Sequence, residues 1–246
     1  MKNKIIAVIS CLLIIICLTG CGFDKITQKD DSEKYNVTIE TEEGITVKTY
    51  MSAGESQMIV SIKNKTGERI GSGFIYMYFY DENGNKIYNM LDFERYTMLG
   101  NDQETICRFE LPQDKTFNYI IPARVKVRVT IDKDYQRSFK KSISEYTDKF
   151  TYSYSVSNNK IKIGFKNNSN RDEFAPDKVS IVYYKNGRPV HSDEGYLLYL
   201  ISKEVKAGKI DYNEFSIPYD IKKSKETKKL TYIDYDSIKI IKLRDN

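Results

Sequence analysis

The chain has 246 residues, of which 40% are hydrophobic, 30% charged and 13% aromatic. That much apolar and aromatic surface can offset chain entropy, which excludes disorder as the main state. Five prolines and 13 glycines exclude collagen-like and proline-rich designs. A formal charge of +5, spread over 39 basic and 34 acidic residues, gives no dominant polyanion-binding field.

Residues 1–20 are expected to be an address rather than part of the fold. Lys2 and Lys4 form a positive start, and Ile5 to Leu18 is an apolar run broken only by Ser10. The run is shorter than the about 20 residues a membrane span needs and has signal-peptide proportions. It ends in Leu18-Thr19-Gly20-Cys21, which resembles the lipobox of bacterial lipoproteins. The resemblance implies that Cys21 receives a diacylglycerol and becomes the first residue of the mature chain. The protein would then be anchored in the cell membrane, facing outside the cytoplasm. Acyl burial contributes about 0.8 kcal/mol per CH₂, and two or more chains make anchoring stable. Cleavage would remove Lys2, Lys4, Cys11 and Cys17. The net charge falls by two, and Cys107 is left as the one unmodified thiol, so no intramolecular disulfide is expected.

Residues 21–34, the lipidated cysteine and the polar stretch after it, read as a flexible tether with a reach of roughly 20 Å. From Tyr35 the apolar signal has period two, as in Met58-Ile-Val60-Ser-Ile62 and Val125-Lys-Val127-Arg-Val129. No 12-residue window has a convincing helical pattern; residues 136–149 come nearest, weakened by Ser138, Ser142 and Ser144. The body then repeats. Val60-Ser-Ile62-Lys-Asn64 aligns with Ile163-Gly-Phe165-Lys-Asn167, Phe79 to Gly84 with Tyr183 to Gly187, and Phe109-Glu-Leu111-Pro112 with Phe215-Ser-Ile217-Pro218. The matches keep their order at a spacing of 103 to 106 residues. Both halves close on an alternating strand, Val125 to Ile131 and Ile238 to Leu243.

These features predict an all-β protein with two tandem sandwich domains, 35–135 and 148–246, joined by a linker at 136–147. Asn83-Gly84 and Asn186-Gly187 are expected hairpin turns, because Asn and Gly accept the positive φ that tight hairpins require. Ile75, Met77 and Phe79 should face one core, with Val179, Ile181 and Tyr183 facing the other. Phe109, Leu111, Phe215 and Ile217 should come from the opposing sheets. A strand, an Asn-rich turn and Phe79-Tyr-Asp81 before Asn83-Gly84 resemble the FxLYD-type immunoglobulin-like domains of bacterial lipoproteins. The second half departs, with Tyr184-Lys185 in place of Tyr80-Asp81. The resemblance implies an immunoglobulin-like fold and an exported location, and no reaction.

Residues able to carry chemistry are few. His191 is the only histidine, and it reads as an exposed loop residue without the motifs of a catalytic triad. Cys107 shares a face with Phe109 and Leu111, which predicts a buried, inert thiol. Asp81-Glu-Asn83-Gly-Asn85 spaces oxygen ligands as calcium loops do, but a hairpin explains the same residues. No cofactor and no metal are expected, and no carboxylate pair stands out. Tyr76, Tyr78 and Tyr80 alternate with the core positions and form an outward ladder. It could meet a protein or carbohydrate partner, or simply pack across strands. The second half has Ser180, Val182 and Tyr184 at these positions. Lys222, Lys223, Lys225, Lys228 and Lys229 form the densest basic run, read as a solvated loop that could touch an anionic surface. It has no interleaved aromatics, so nucleic acid is not expected.

The sequence thus points to a non-enzymatic envelope lipoprotein, binding or structural, whose partners are the membrane and an unidentified protein or cell-wall component. The alternatives are an accessory lipoprotein of a membrane complex, acting as assembly factor, inhibitor or sensor, and, last, a hydrolase.

Overall fold

The computed structural model describes residues 30–87, 93–138, 149–175, 178–196 and 204–244. Its first half contains β1 (Val37–Glu40), β2 (Ile45–Met51), β3 (Gln57–Asn64), β4 (Ile70–Tyr80), β5 (Lys86–Ile87), β6 (Phe93–Leu99), β7 (Glu104–Glu110), β8 (Arg124–Ile131) and the short helix α1 (Lys133–Ser138). One sheet has the order β1-β8-β4-β5, with β6 also on β4; the other is β2-β3-β7. Between them lies a core that includes Val60, Ile62, Ile75, Met77, Phe79, Cys107, Phe109, Leu111, Val125 and Val127. The inward alternation predicted for Ile75, Met77 and Phe79 is present: all three are fully buried. β1 runs parallel to β8, a pairing that hydrophobic alternation alone does not reveal.

The second half repeats this plan. It contains β9 (Phe150–Ser157), β10 (Lys160–Asn167), β11 (Glu173–Phe174), β12 (Lys178–Lys185), β13 (Arg188–Tyr196), β14 (Glu204–Val205), β15 (Ile210–Ser216), the short helix α2 (Ile221–Thr227) and β16 (Ser237–Arg244). The sheets are β9-β10-β15 and β13-β12-β16, with a small β11-β14 pair. Ile161, Ile163, Phe165, Val179, Ile181, Tyr183 and Ile217 fill the space between them, and Phe215 packs against them. The molecule is therefore all-β, built as two sandwiches.

The repeat extends to hydrogen bonds that no periodicity reveals. Asn64 and Asn167 are both fully buried at the ends of β3 and β10. Asn64 Nδ2 donates to the carbonyls of Glu68 (2.7 Å) and Leu99 (2.9 Å), and its Oδ1 accepts from Thr66 N. Asn167 Nδ2 donates to Arg171 (2.9 Å) and Val205 (2.8 Å), and its Oδ1 accepts from Ser169 N. Each amide thus supplies a partner to one buried carbonyl, Leu99 O or Val205 O, and ties down the turn that follows its strand.

Turn chemistry matches the second predicted hairpin in full and the first in part, where Gly84 has φ of 82° but Asn83 does not take a positive value. Asn186 and Gly187 have φ of 51° and 73°, the pair of positive values that a two-residue hairpin needs. A further such turn, Asn158-Asn159 with φ of 49° and 58°, joins β9 to β10. Gly73 is required for a different reason. A Cβ there would come within 2.3 Å of the Tyr96 ring, which lies across the strand and donates from its hydroxyl to Thr130 O at 3.2 Å.

Three expectations need correction. The tether does not run to Lys34. Asp31 is buried, its N–H donates to Thr49 O at 2.8 Å and its carboxylate accepts from Met51 N at 2.7 Å. The segment from Asp30 is thus laid along the edge of β2. The chain is also not free of helix: α1 occupies 133–138, where the first domain and linker were expected to meet, and residues 139–148 lie outside the described residues. Finally, the basic run around Lys222 is helix α2 rather than a loop. Asp220 caps it, accepting from Lys223 N at 2.9 Å, and Lys228 ends it in the left-handed conformation. Helices of six and seven residues fall below any 12-residue window, so their capping residues, not their periodicity, are the readable signal.

Candidate binding face

The outward row of β4 begins one aromatic earlier than the tyrosine ladder: Phe74, Tyr76, Tyr78 and Tyr80 all lie opposite the core-facing positions and are half-buried. Phe93, 49% exposed, joins them from β6. Its ring centroid is 6.3 Å from Phe74 and 6.1 Å from Tyr76, within the range of favourable aromatic pairs. The strand register places Arg124, Lys126 and Arg128 of β8 beside Tyr80, Tyr78 and Tyr76. Arg95 of β6 sits beside Phe74, and Lys86 of β5 beside Tyr80.

The cations lie on the rings. Arg124 is 4.3 Å from the Tyr80 centroid, Lys86 is 4.7 Å from Tyr78, and Arg95 is 5.9 Å from Phe74 and 5.7 Å from Tyr135 of α1. Such contacts fix long side chains whose heads still face water. Lys126 pairs with Glu40 of β1 at 2.7 Å. Arg124 and Arg128 are exposed and carry no carboxylate partner among the described residues. The result is an aromatic floor roofed by basic groups. Tyr76, Tyr78 and Tyr80 were legible in the sequence. The basic row has a signal too, since Arg124-Val-Lys126-Val-Arg128-Val carries it in plain alternation.

The equivalent face of the second sandwich is closed. Ser180 and Val182 are fully buried, and with Tyr184 they face Tyr50, Ile59 and Ile106 of the first sandwich. Ser180 Oγ donates to the carbonyl of Ile106. The Ser/Val/Tyr set therefore marks an internal interface.

The other candidates resolve as follows. His191 is not an exposed loop residue: it lies within β13 and is 8% exposed, its ring edge-on to Tyr183 at 5.8 Å. Burial pushes its pKa down to about 4, against the opposing charge of Asp193. Cys107 is fully buried, as its alternation predicts. The Asp81 carboxylate is engaged by its own turn, accepting from Asn83 N (2.9 Å), Asn85 N (2.8 Å) and Asn85 Nδ2 (3.0 Å). The side-chain hydrogen bond from Asn85 leads in holding its pKa below the usual carboxylate range. Of the basic run, Lys222 reaches Glu55 at 2.9 Å and Lys225 reaches Asn118 Oδ1 at 3.2 Å. Two of its five lysines thus link α2 to the first sandwich; Lys223, Lys228 and Lys229 remain exposed. Cys21 lies outside the described residues. Among the described residues, no helix is long and apolar enough to cross a membrane.

No protein-family model and no curated protein matches the chain. Among solved structures, the C-terminal globular domain of oligosaccharyltransferase from Pyrococcus abyssi matches at 12% identity with a TM-score of 0.21. The match covers 82% of this chain and 47% of that one, so the chain spans about half of that structure's length.

Proposed function

We propose that the protein is a non-enzymatic lipoprotein, anchored through Cys21 outside the cytoplasm, that holds an envelope partner on the outer sheet face of its first sandwich. One observation carries this reading. Five aromatic rings, Phe74, Tyr76, Tyr78, Tyr80 and Phe93, share the outward face of β4 and β6, half-buried except for Phe93 at 49% exposed, whereas the matching face of the second sandwich is buried within the molecule. Aromatic and arginine-rich patches of this kind are where binding energy concentrates. The second sandwich then serves as a stiff support, and the lipid anchor keeps the face near the membrane.

The test is site-specific photo-crosslinking in cells, with the reactive residue at Phe93 and, as a control, at Phe174, which is 58% exposed on the second sandwich. Adducts are expected from Phe93 and not from Phe174, and Cys21→Ala should abolish acyl labelling and reduce the Phe93 adduct. No adduct at Phe93, or an equal one at Phe174, overturns the reading.

A further inference from the structure

We infer that the partner is a base-free polyanion, an extended polyol-phosphate chain, lying along the Arg124–Arg128 row; this rests on the binding-face reading above. The face presents Arg124, Lys126 and Arg128 on β8 and Arg95 on β6, and Lys126 is engaged by Glu40 at 2.7 Å. A low net charge for the whole chain hides this concentration of positive charge on one sheet.

Alternate residues of a strand lie about 6.6–6.8 Å apart on one face, so Arg124, Lys126 and Arg128 stand at a constant interval over about 13 Å, with Lys126, held by Glu40, between the two arginines. A phosphodiester chain with a short polyol spacer repeats its charge on the same scale, and guanidinium groups match phosphate oxygens in a bidentate fork.

Ring coverage separates this ligand from single-stranded nucleic acid. Stacking of bases needs open ring faces. Here the faces of Tyr78, Tyr80 and Phe74 carry Lys86, Arg124 and Arg95 at 4.7, 4.3 and 5.9 Å. At these three rings the aromatic floor holds the cations in place and the cations are what an approaching ligand meets, while Phe93 stays 49% exposed at the rim. Pre-fixed cations lose less side-chain freedom on binding, which favours a repeating anion over a flat aromatic one.

The experiment uses the full-length protein in nanodiscs of zwitterionic lipid, with fluorescent poly(glycerol phosphate) as probe and dextran, an oligothymidylate and anionic-lipid nanodiscs as comparators. Affinity for poly(glycerol phosphate) should fall steeply with salt. Arg124→Gln with Arg128→Gln should weaken it at least tenfold and flatten the salt slope, with an unchanged melting temperature. Lys223→Gln with Lys229→Gln, on α2, should leave it unchanged. Salt-independent binding, no effect of the arginine changes, or tighter binding of the oligothymidylate or the anionic lipid overturns the polyanion assignment. The two readings fail separately. If the Phe93 adduct forms but ignores salt and the arginine changes, the face stands and the polyanion falls. If no adduct forms at Phe93, the face itself falls.

Discussion

His191 packs edge-on against Tyr183 inside β13, and burial lowers its pKa from 6.5 to about 4. The unfolded chain therefore binds a proton more readily than the folded chain between these two values. The stabilisation is complete above about pH 6.5 and is lost as pH falls toward 4. At about 1.4 kcal/mol per pKa unit, the loss is on the order of 3 kcal/mol. Urea unfolding between pH 7 and 4.5 should show it, and His191→Gln should give a flatter dependence over the same window. Equal slopes in the two proteins would exclude His191 as the source. At this scale the sequence was partly legible. Cys107 could be placed inside by alternation with Phe109 and Leu111. The burial of His191 could not, because it lies opposite Tyr183 beside a register shift that breaks the alternation, on a strand whose backbone the first sandwich covers: Ala53 N donates to Val190 O at 2.8 Å and Ser192 N donates to Gln57 Oε1 at 3.2 Å. Neither contact has a local signature.

Elements tell a similar story in their edges. β2 and β9 are the corresponding edge strands of the two sandwiches, and their neighbours β3 and β10 were aligned from sequence. The edge of β2 is closed by Asp30 and Asp31, whose backbone and carboxylates serve Thr49 and Met51. β9 has no charged residue from Phe150 to Ser157, and Ser153 through Ser157 are exposed, with Tyr154 44% and Val156 43% accessible. A long edge without lysine or proline is a template for pairing with another chain. In an antiparallel self-pairing the Tyr and Val side chains would meet one another on one face and the serines on the other. Light scattering should show concentration-dependent self-association of the wild type, and Ser155→Lys should suppress it by placing a gatekeeper charge on the edge. If the lysine variant associates as strongly as the wild type, β9 is not the contact. Strand existence and the core faces were readable because period two records them directly. Edge protection was not, because it depends on which distant segment lies alongside.

Across the whole molecule, the two sandwiches meet through the outer faces of β2-β3-β7 and β13-β12-β16. Tyr50, Ile59, Ile106, Val182 and Ile241 form a third buried cluster there. Around it lie Lys239–Glu104 at 2.8 Å, Arg108–Asp193 at 3.5 Å, Lys222–Glu55 at 2.9 Å and the Arg188–Asp31 pair. Burial raises the Glu104 carboxyl, but the hydrogen bonds from Lys239 and Ser61 and the charge of Lys239 outweigh it and keep the group ionised. β3 is therefore buried on both sides, which accounts for the uninterrupted Met58-Ile59-Val60 within a strand otherwise read as alternating. The same logic explains why Tyr76 and Tyr78 give way to Ser180 and Val182 in the repeat: one sheet looks outward, the other inward to its neighbour. An isolated 35–135 fragment would expose Tyr50, Ile59 and Ile106 together, so the two halves should unfold as one unit. Amides of β3 and β10 should then exchange with the same opening free energy in the wild type. Ile106→Ala should lower that value by about 2–4 kcal/mol in both strands, since a deleted buried side chain loses both transfer energy and packing. Ile106→Asp, which places an unpaired carboxylate against Val182, should uncouple them, so that β3 and β10 exchange with different free energies. Distinct opening energies for β3 and β10 in the wild type would show that the interface packs the sandwiches together without joining their folding.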